Sequence, residues 1–326
     1  MRIAVLASGG NSPGMNNAVI TLVKSARLNK IDIKLIYNGY QGLLDNQFYD
    51  ADIRTLEDFS TRGNIVIGTA RSKDFYQTEY KRKAVKILKK QKIDVLVVIG
   101  GDGSYKGAAG LANLGMKVMV LPGTIDNDVA STDSTIGFYS CLHTIVESID
   151  KIRDSFDSHS GICFVEVMGR GFSDLAVQAG VATIAEAIIT SENVLSAEEF
   201  VAIANETKKN KKRSCIFVIT EKIYGANGLP SLDDLAKEVE KITGRVTRVN
   251  VIGHMQRGGV PSASDRYWAS MMANHCIKCI KEKNFNRAIG EERRQLIDVD
   301  IFKAIAMPHK HNRTELASEF QKINRI

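Results

Sequence analysis

Short apolar runs alternate along this chain with longer segments in which apolar residues recur every three or four positions. In the first half we predict strands at Ile3–Ala7, Ile33–Tyr37, Val95–Ile99 and Val118–Leu121, and helices at Met15–Leu28, Thr78–Gln91, Ser104–Leu114 and Ile136–Phe156. Strands that alternate with helices of this length are typical of a parallel sheet with crossover helices. The first half therefore predicts an α/β lobe.

The same pattern restarts near residue 160. There we predict strands at Ile162–Val167, Ile216–Thr220 and Val249–Ile252, and helices at Asp174–Ala182, Ala197–Lys209, Leu232–Thr243 and Ser264–Lys283. The chain has 326 residues, whereas a single hydrophobic core stops growing near about 250–300 residues. We therefore expect an α/β fold of two similar three-layer αβα lobes with mostly parallel sheets, and an active site in the cleft between them.

Composition excludes several classes of protein. With 44% hydrophobic and 25% charged residues, the chain is typical of a globular domain. It contains no apolar run of about 18 residues, and its N-terminal apolar stretch is too short for a signal peptide. The five cysteines are odd in number and scattered, which argues against a disulfide framework. We expect a cytoplasmic protein that does not bind membranes.

The net charge of +7 suits small anionic substrates as well as nucleic acid. Because no basic platform with interleaved aromatic residues accompanies it, we expect no nucleic-acid partner. The densest basic cluster, residues 208–213, fits either a solvated helix end or an anion-binding role. Cys276 and Cys279 form a lone CxxC pair inside a predicted helix, and without a second pair we do not expect them to form a zinc site.

Two motifs with glycine and aspartate follow predicted strands. Gly100-Gly-Asp-Gly-Ser104 comes directly after the strand that ends at Ile99. The backbone N–H groups of such a loop can bind a phosphate, and the Asp102 carboxylate can hold magnesium. An ordinary loop between a strand and a helix is the structural alternative. The motif indicates a nucleotide phosphate rather than a particular substrate, since unrelated kinases share it.

Pro122-Gly-Thr-Ile-Asp-Asn-Asp128 follows the next predicted strand. Asp126 and Asp128 are only two residues apart and have the Thr124 hydroxyl beside them. Such carboxylates can accept a proton or hold a metal ion, although Asp128 could simply cap a helix. Because the carboxyl ends of parallel strands meet at one edge of a sheet, the two motifs together predict phosphoryl transfer.

Further segments accompany these two motifs. They are Ser8-Gly-Gly10, Pro13-Gly-Met-Asn16, Gly68-Thr-Ala-Arg71, Thr132–Phe138, Val165–Arg170, Thr220-Glu221 and Gly253–Gly259. In this order, from the first strand to about residue 275, the chain resembles the bacterial ATP-dependent 6-phosphofructokinases. The resemblance implies that ATP phosphorylates the 1-hydroxyl of fructose 6-phosphate in glycolysis, with Mg²⁺ as cofactor. It also implies homotetramers whose sugar-phosphate sites are shared between subunits.

The resemblance also implies which lobe holds which substrate and which residues act. An ATP-binding lobe would comprise residues 1–137 and about 256–309, and a fructose 6-phosphate-binding lobe residues 138–255 and about 310–326. Asp126 would be the general base. The other implied catalytic residues are Arg71, Thr124 and Arg170. The nucleotide would contact Gly10, Arg71, Ser72, Gly101, Asp102, Gly103 and Ser104, with Asp102 as the metal ligand.

The implied sugar-binding residues are Thr124, Ile125, Asp126, Met168, Gly169, Arg170, Glu221, Arg248, His254 and Arg257. Among them His254 and Arg257 would bind the 6-phosphate, and Arg248 would come from a neighbouring subunit. Taken without the resemblance, His254 fits a structural histidine equally well. Glycine at both 103 and 123 favours ATP as the donor, because pyrophosphate-dependent relatives tend to carry aspartate and lysine there.

The chain also departs from the family pattern. Gly161 stands where the family has an arginine for the sugar phosphate, and Asn11 replaces an aspartate. Ile20 and Ile53 replace two effector-site arginines, so regulation by ADP or phosphoenolpyruvate is in doubt. Effector candidates that are still present are Lys24, Arg153, Glu186, Lys212 and Arg213. A kinase of another phosphosugar such as tagatose 6-phosphate, a pyrophosphate-dependent relative and a weakly active regulatory subunit are the alternative functions.

Overall fold

The computed structural model describes residues 1–70, 72–226, 228–309 and 313–326. The strands are β1 (Arg2–Ser8), β2 (Asp32–Ile36), β3 (Phe48–Asp50), β4 (Val95–Gly100), β5 (Lys117–Pro122), β6 (Ile162–Val167), β7 (Ala187–Ile189), β8 (Cys215–Thr220), β9 (Thr247–Val251), β10 (Arg287–Glu292) and β11 (Gln295–Asp300).

The helices are α1 (Met15–Leu28), α2 (Gly39–Leu44), α3 (Ile53–Glu57), α4 (Thr78–Lys90), α5 (Asp102–Ala112), α6 (Phe138–Asp157), α7 (Asp174–Ala182), α8 (Ala197–Lys209), α9 (Leu232–Thr243), α10 (Ala263–Lys281), α11 (Ile301–Ala306) and α12 (Thr314–Ile323). Two 3₁₀ turns lie at Asp74–Tyr76 and Gly253–Arg257. The chain divides into two compact units.

The first unit comprises Met1–Ser140 and Arg257–His309 and holds a seven-stranded sheet in the order β11-β10-β5-β4-β1-β2-β3. Strands β2, β1, β4, β5 and β10 are parallel, and the edge strands β3 and β11 pair antiparallel with β2 and β10. Parallel order brings the carboxyl ends of β1, β4 and β5 to one edge of the sheet, so the loops after these strands lie side by side.

Both faces of this sheet are covered, which makes the unit a three-layer sandwich. Alternate residues of β1 show why, since side chains along a strand point to opposite faces. Ile3 and Val5 pack into the core that includes α1 and α10. Ala4 and Leu6 pack into the second core, which includes α4 and α5. The central strands are therefore apolar on both faces, as is expected for a parallel sheet between helices.

The second unit comprises Cys141–Gln256 and Lys310–Ile326 and holds a four-stranded parallel sheet in the order β7-β8-β6-β9. Three phenylalanines centre its core: Phe164 lies 4.8 Å from Phe200 and 5.3 Å from Phe217 between ring centroids. All three are fully buried. The structure thus confirms the predicted α/β class with mostly parallel sheets.

Several elements were absent from the sequence prediction. Strand β7 has only three residues, too few to show a period. In the β10–β11 hairpin, charged residues interrupt short apolar stretches, and β11 lies at the sheet edge with its residues only partly buried. Strand β3 and helices α2, α3, α11 and α12 were also not predicted. Predicted bounds elsewhere shift by one or two residues, for example from Ile136–Phe156 to Phe138–Asp157 for α6.

Among the described residues, no helix combines the length and the apolar character needed to cross a bilayer. All five cysteines are buried free thiols.

Candidate active site

The loop after β1 is held closely against Arg257. A Cβ atom built on Gly10 would lie 2.4 Å from Arg257 Nη1, so a side chain here would have to displace the Arg257 guanidinium. Arg257 Nη1 donates to the Asn11 carbonyl at 3.3 Å, and Asn11 Nδ2 donates to the Arg257 carbonyl at 2.9 Å. The second of these bonds gives Asn11 a local structural role, because an ionised aspartate has no side-chain donor to make it.

Residues 100–104 form the turn from β4 into α5. Gly100 lies so close to β1 that a Cβ atom there would be 2.5 Å from the Ser8 carbonyl oxygen. The buried Ser104 hydroxyl donates to the same Ser8 carbonyl at 3.0 Å, and Tyr40 Oη donates to the Ser104 carbonyl at 2.7 Å. These contacts fix the first turn of α5, whose free N–H groups can bind an anion.

The loop after β5 is buried and internally hydrogen-bonded. Thr135 Oγ1 donates to the Thr124 carbonyl at 2.6 Å, and the Asp126 N–H donates to Thr124 Oγ1 at 3.1 Å. Asn127 adopts a φ of 52°, a left-handed conformation that asparagine tolerates. Its side chain accepts from the Thr135 N–H at 3.0 Å. Asp126 is only 5% exposed.

These two loops meet, as predicted from the order of the strands. A Cβ atom on Gly101 would lie 3.3 Å from Asp128 Oδ1 and 3.4 Å from Thr124 Cβ. Burial is the main cause that raises the pKa of the Tyr105 hydroxyl, and the negative charge of Asp128 raises it further. A glycine-rich helix N-terminus and two aspartates therefore share one edge of the first sheet.

Asp126 has a cationic neighbour in Arg257. Arg257 Nη2 lies 3.8 Å from Asp126 Oδ2, and their side chains are 15% and 6% exposed. Thr124 Oγ1 stands 3.5 Å from the same carboxylate oxygen. The carboxylate thus has neighbours both in its own loop and in Arg257.

Asp102, the predicted metal ligand, is the first residue of α5 and forms an ion pair with Lys106 one turn later. Lys106 Nζ lies 2.6 Å from Asp102 Oδ2, and the side chains are 61% and 32% exposed. Sequence analysis did not assign a role to Lys106, although the i,i+4 spacing on a helix was the available signal. A cation that binds Asp102 would compete with this ammonium.

Of the other predicted nucleotide residues, Arg71 falls outside the described residues. Ser72 Oγ donates to Gln41 Oε1 at 3.0 Å. Ser104 is almost fully buried, and Ile125, which was predicted to bind the sugar and also lies in the first unit, is fully buried.

In the second unit, Arg170 and Glu221 border one cavity of about 270 Å³ at the carboxyl ends of β6 and β8. The Arg170 N–H donates to Glu221 Oε1 at 2.9 Å, and the Met168 N–H donates to Gln256 Oε1 at 3.1 Å. Gly169 adopts a φ of 154°, and a Cβ atom there would lie 2.5 Å from the Phe172 carbonyl. The apolar wall of this cavity consists of Val194, Ile223 and Leu229.

Glu166 on β6 is a further carboxylate near this cavity that sequence analysis missed. Burial first, and then the charge of Glu221, raise the pKa of the Glu166 carboxyl, while the Lys222 N–H opposes the shift. Position 166 lay inside a recognised motif, but nothing in the motif indicated that two acids would come close in space.

The Glu166 shift predicts a pH-dependent stability. Since the folded-state pKa lies above that of the unfolded chain, the free energy of unfolding should fall as pH rises through the folded-state pKa. We expect Glu166→Gln to stabilise the protein at neutral pH, and this gain to vanish in acid below the ordinary carboxyl range. Urea unfolding at both pH values measures it.

The matched control is Glu147→Gln on α6. A hydrogen bond from Lys151, and then its charge, lower the pKa of Glu147, so this variant should change stability in the opposite direction. A Glu166→Gln gain that persists in acid would contradict the electrostatic explanation.

Arg248 and His254 also belong to the second unit. Arg248 Nη1 pairs with Glu240 Oε2 at 2.7 Å, and 59% of the Arg248 side chain is exposed on the edge strand β9. His254 lies in the 3₁₀ turn that follows β9. Arg257, the other predicted 6-phosphate residue, belongs to the first unit and contacts Asp126 there.

Known proteins are similar to this chain over most of its length. The family model for phosphofructokinase matches residues 2–280, most of the chain. The chain belongs to the phosphofructokinase family. It is 42% identical over 315 residues to an ATP-dependent 6-phosphofructokinase of Vibrio cholerae, covering 97% of each chain. It is also 42% identical over 325 residues to an ATP-dependent 6-phosphofructokinase of Mycoplasma mobile, covering 99% of this chain and 98% of that protein.

A solved structure of phosphofructokinase from Saccharomyces cerevisiae is also similar, with a TM-score of 0.84 and 31% identity over 99% of this chain. This chain spans 47% of the length of that yeast chain. The recognition from sequence motifs is therefore confirmed at the level of the phosphofructokinase family.

Gly103 and Gly123 are the two positions expected from the resemblance to distinguish the phosphoryl donors. In the structure the space around these two glycines differs. Apart from its chain neighbours and the backbone of its own helix, a Cβ atom on Gly103 meets no described atom within 4 Å, so this position faces open space. On Gly123 it would lie 2.7 Å from Met15 Cε and 2.8 Å from Ile99 Cγ2. Position 123 is thus filled by core side chains, and only position 103 has room for a larger residue.

Gly161, the position at which the resemblance leads us to expect an arginine, is closed as well. A Cβ atom there would lie 2.6 Å from Phe156 Cδ1. The Gly161 carbonyl accepts a hydrogen bond from the buried Arg245 at 3.2 Å. His159, considered as a substitute ligand, has its Nδ1 atom 3.1 Å from the Ser155 carbonyl.

Three of the five effector candidates come together in the second unit. Glu186 is fully buried, and its Oε1 atom lies 2.8 Å from Lys212 Nζ and 3.5 Å from Arg153 Nη1. Lys24 belongs to the first unit and pairs with Glu57. Arg213 is exposed, and its carbonyl accepts from Arg245.

Proposed function

We propose that this protein transfers the γ-phosphoryl group of ATP to the 1-hydroxyl of fructose 6-phosphate, giving fructose 1,6-bisphosphate and ADP in glycolysis. The observation that carries the proposal is the meeting of the 100–104 turn with the Thr124–Asp128 loop at one edge of the first sheet. Membership in the phosphofructokinase family and the similarity to curated ATP-dependent 6-phosphofructokinases support it.

In this proposal Asp126 takes the proton of the sugar hydroxyl as the hydroxyl oxygen attacks the γ-phosphorus. The bond from phosphorus to the β,γ-bridging oxygen breaks, and ADP leaves. Positioning and charge stabilisation do most of the work in phosphoryl transfer, so a carboxylate of ordinary basicity suffices. Thr124 lies beside the Asp126 carboxylate, and Arg257, 3.8 Å away, would turn from it to the 6-phosphate when the sugar binds.

Mg²⁺ fits the donors at this edge of the sheet. Carboxylate oxygens of Asp102 and Asp128 are the hard ligands that this ion prefers. Gly101 lies against Asp128, and the open space at Gly103 leaves room for a nucleotide phosphate. When bound, Mg²⁺ would offset negative charge on the phosphates of ATP. The same phosphates would accept hydrogen bonds from backbone N–H groups of Gly10, Gly101, Gly103 and Ser104. Ser72 and Arg71 would contact the nucleotide as well.

On the sugar side, Met168, Gly169, Arg170 and Glu221 would bind the fructose ring and its hydroxyls, as would Thr124 and Ile125. Arg170 would also offset charge on the transferring group. His254 and Arg257 would bind the 6-phosphate, because arginine meets phosphate oxygens with two parallel hydrogen bonds. Glycine at position 103 supports ATP rather than pyrophosphate as donor.

We further propose a cytoplasmic homotetramer in which Arg248 serves the sugar-phosphate site of a neighbouring subunit. The exposure of Arg248 on the edge strand β9 supports this role. Sedimentation velocity of the purified protein tests the oligomeric state. A monomer at the assay concentration would exclude the shared site.

The test of the function is fructose 1,6-bisphosphate formation with Mg²⁺, compared between ATP and pyrophosphate. We expect turnover with ATP and none with pyrophosphate. Turnover with tagatose 6-phosphate but not fructose 6-phosphate would move the assignment to another phosphosugar. Absence of turnover with either donor would indicate a regulatory subunit.

Gly161 predicts weak binding of fructose 6-phosphate. A missing charge-assisted hydrogen bond costs about 1.5–3 kcal/mol, which corresponds to about a 10- to 100-fold weaker affinity. We expect a higher KM for fructose 6-phosphate, with weaker cooperativity, than in a family member that has arginine at this position. Initial rates over a wide range of sugar phosphate measure both. Tight, strongly sigmoidal saturation would contradict the prediction.

A further inference from the structure

Three side chains that could bind a metal converge away from the loops described above. They are His275 and Cys279 on α10 and Asp298 on β11. One ligand atom of each, Nε2 or Nδ1, Sγ and a carboxylate oxygen, lies within 4.8 Å of the other two. His275 and Cys279 are four residues apart, so the helix places them on one face, one turn apart.

The Asp298 carboxylate is oriented by two further residues. Arg287 Nε donates to Asp298 Oδ2 at 2.7 Å, and Asn284 Nδ2 donates to the same oxygen at 3.2 Å. The other oxygen, Oδ1, lies 3.1 Å from His275 Nε2. Outer hydrogen bonds of this kind fix the direction of a ligating carboxylate. One oxygen is thus committed to Arg287 and Asn284, while Oδ1 points toward the imidazole.

The cysteine of this cluster is buried, while the histidine and the aspartate are partly accessible to solvent. Cys279 is 1% exposed, whereas the His275 and Asp298 side chains are 24% and 22% exposed. An ion can reach the imidazole and the carboxylate from solvent, while the sulfur lies on the protein side.

We propose that His275, Cys279 and Asp298 form a binding site for one Zn²⁺ ion, with water in the fourth position. Nitrogen, sulfur and oxygen donors together suit this borderline-soft ion, whereas Mg²⁺ and Ca²⁺ take oxygen ligands. The site differs from the CxxC pair: Cys276 is not one of the three converging residues, and the ligands that accompany Cys279 come from one helical turn earlier and from β11.

Binding exchanges protons for metal bonds without any oxidation. The Cys279 thiol releases its proton to solvent as the Zn–S bond forms. The contact with the Asp298 carboxylate needs a proton on Nε2 of His275. As the metal binds, Nε2 gives up this proton to solvent and the neutral imidazole carries its proton on Nδ1, taken from solvent, so the metal replaces the contact between Nε2 and Asp298 Oδ1. The positive charge of Arg287 on Oδ2 opposes the ion, and the thiolate and carboxylate charges offset it.

Such an ion would tie the sheet edge to a helix. Strand β10 pairs with β5 at Arg287–Met119 and Ala288–Val120, and Asn286 and Glu291 add hydrogen bonds to Val118 and Thr132. A metal ion between α10 and β11 would add a further link between the hairpin and the rest of the unit. Zn²⁺ bound to α10 and β11 together would therefore raise the stability of the first unit.

The experiment is a Cd²⁺ titration of the full chain, stripped of metal and kept reduced with a phosphine, followed by the ultraviolet thiolate-to-metal charge-transfer band. We expect one Cd²⁺ per chain, displacement by Zn²⁺, and a higher Tm with Zn²⁺. Cys279→Ser should abolish the band, and Asp298→Asn should weaken binding by about tenfold or more. The matched control Cys276→Ser removes a buried thiol one turn away and should keep the band.

The band reports sulfur only, so a metal ion at the Asp102 carboxylate does not interfere. If Cys279→Ser fails to fold, Asp298→Asn and His275→Gln, which leave the buried sulfur in place, carry the test. No band in the unmodified protein, a band that survives Cys279→Ser, unchanged affinity in both Asp298→Asn and His275→Gln, or a band lost only in Cys276→Ser would each overturn the site.

Discussion

Asp126→Asn is expected to lower kcat for fructose 6-phosphate phosphorylation by about 10²–10⁴-fold, the range that a general base contributes. Asparagine keeps the size of the side chain and one acceptor for Thr124, so the loop should keep its conformation. The lost function is the ability to take the hydroxyl proton. Because this loss acts on the reaction step, the KM for ATP should change little.

The measurement is a steady-state rate assay with both substrates varied, together with thermal unfolding to confirm the fold. Asp133→Asn is the matched control, since it removes one carboxylate from the same segment. Asp133 accepts a hydrogen bond from the Arg293 N–H at 2.8 Å and is assigned no part in the reaction. A kcat of Asp126→Asn within tenfold of the unmodified protein would remove Asp126 from the role of base.

Gly103→Asp is expected to reduce kcat/KM for ATP by about 10²–10³-fold. Two like charges about 4 Å apart repel by about 4 kcal/mol at an effective dielectric constant near 20, and the new carboxylate would stand where the nucleotide phosphates bind. The fold should tolerate the change, because no described atom outside the helix's own backbone and the neighbouring residues lies within 4 Å of the new Cβ atom.

Gly103→Asn is the control, since it adds nearly the same volume without the charge. Its loss of kcat/KM for ATP should be at least tenfold smaller than that of Gly103→Asp. Equal losses in the two variants would mean that volume, and not charge, excludes the nucleotide at this position.

The loops and strands that build the candidate site were predictable because their signals are local. The apolar runs that end at Ile99 and Leu121 lead directly into glycine and aspartate, and parallel strand order then brings both loops to one edge. Contacts between distant segments were not predictable. Nothing near Asn11 or Asp126 in sequence indicates that Arg257, more than 100 residues away, would contact both.

The same limit applies to Glu166 and to Asp298. Glu166 belongs to β6, which was predicted, and Asp298 belongs to β11, which was not. The role of each charge depends on residues that other elements bring close: Glu221 for Glu166, and His275 and Arg287 for Asp298. An edge strand such as β11 is hard to predict, because a half-exposed strand lacks the apolar run that marks a central one. Its neighbour β10 is mostly buried, but its apolar residues, Ala288 and Ile289, are too few to form such a run.

The packing at Gly123 restricts which mutations the core can accept. Met15 and Ile99 occupy the space that any side chain at position 123 would need. A lineage that exchanges this glycine for lysine must therefore also move the Met15 side chain and make space beside Ile99, whereas a side chain at position 103 needs no repacking of the core. The two positions thus carry different penalties: a new residue at 123 costs folding stability, while an aspartate at 103 leaves the core intact and costs the use of ATP.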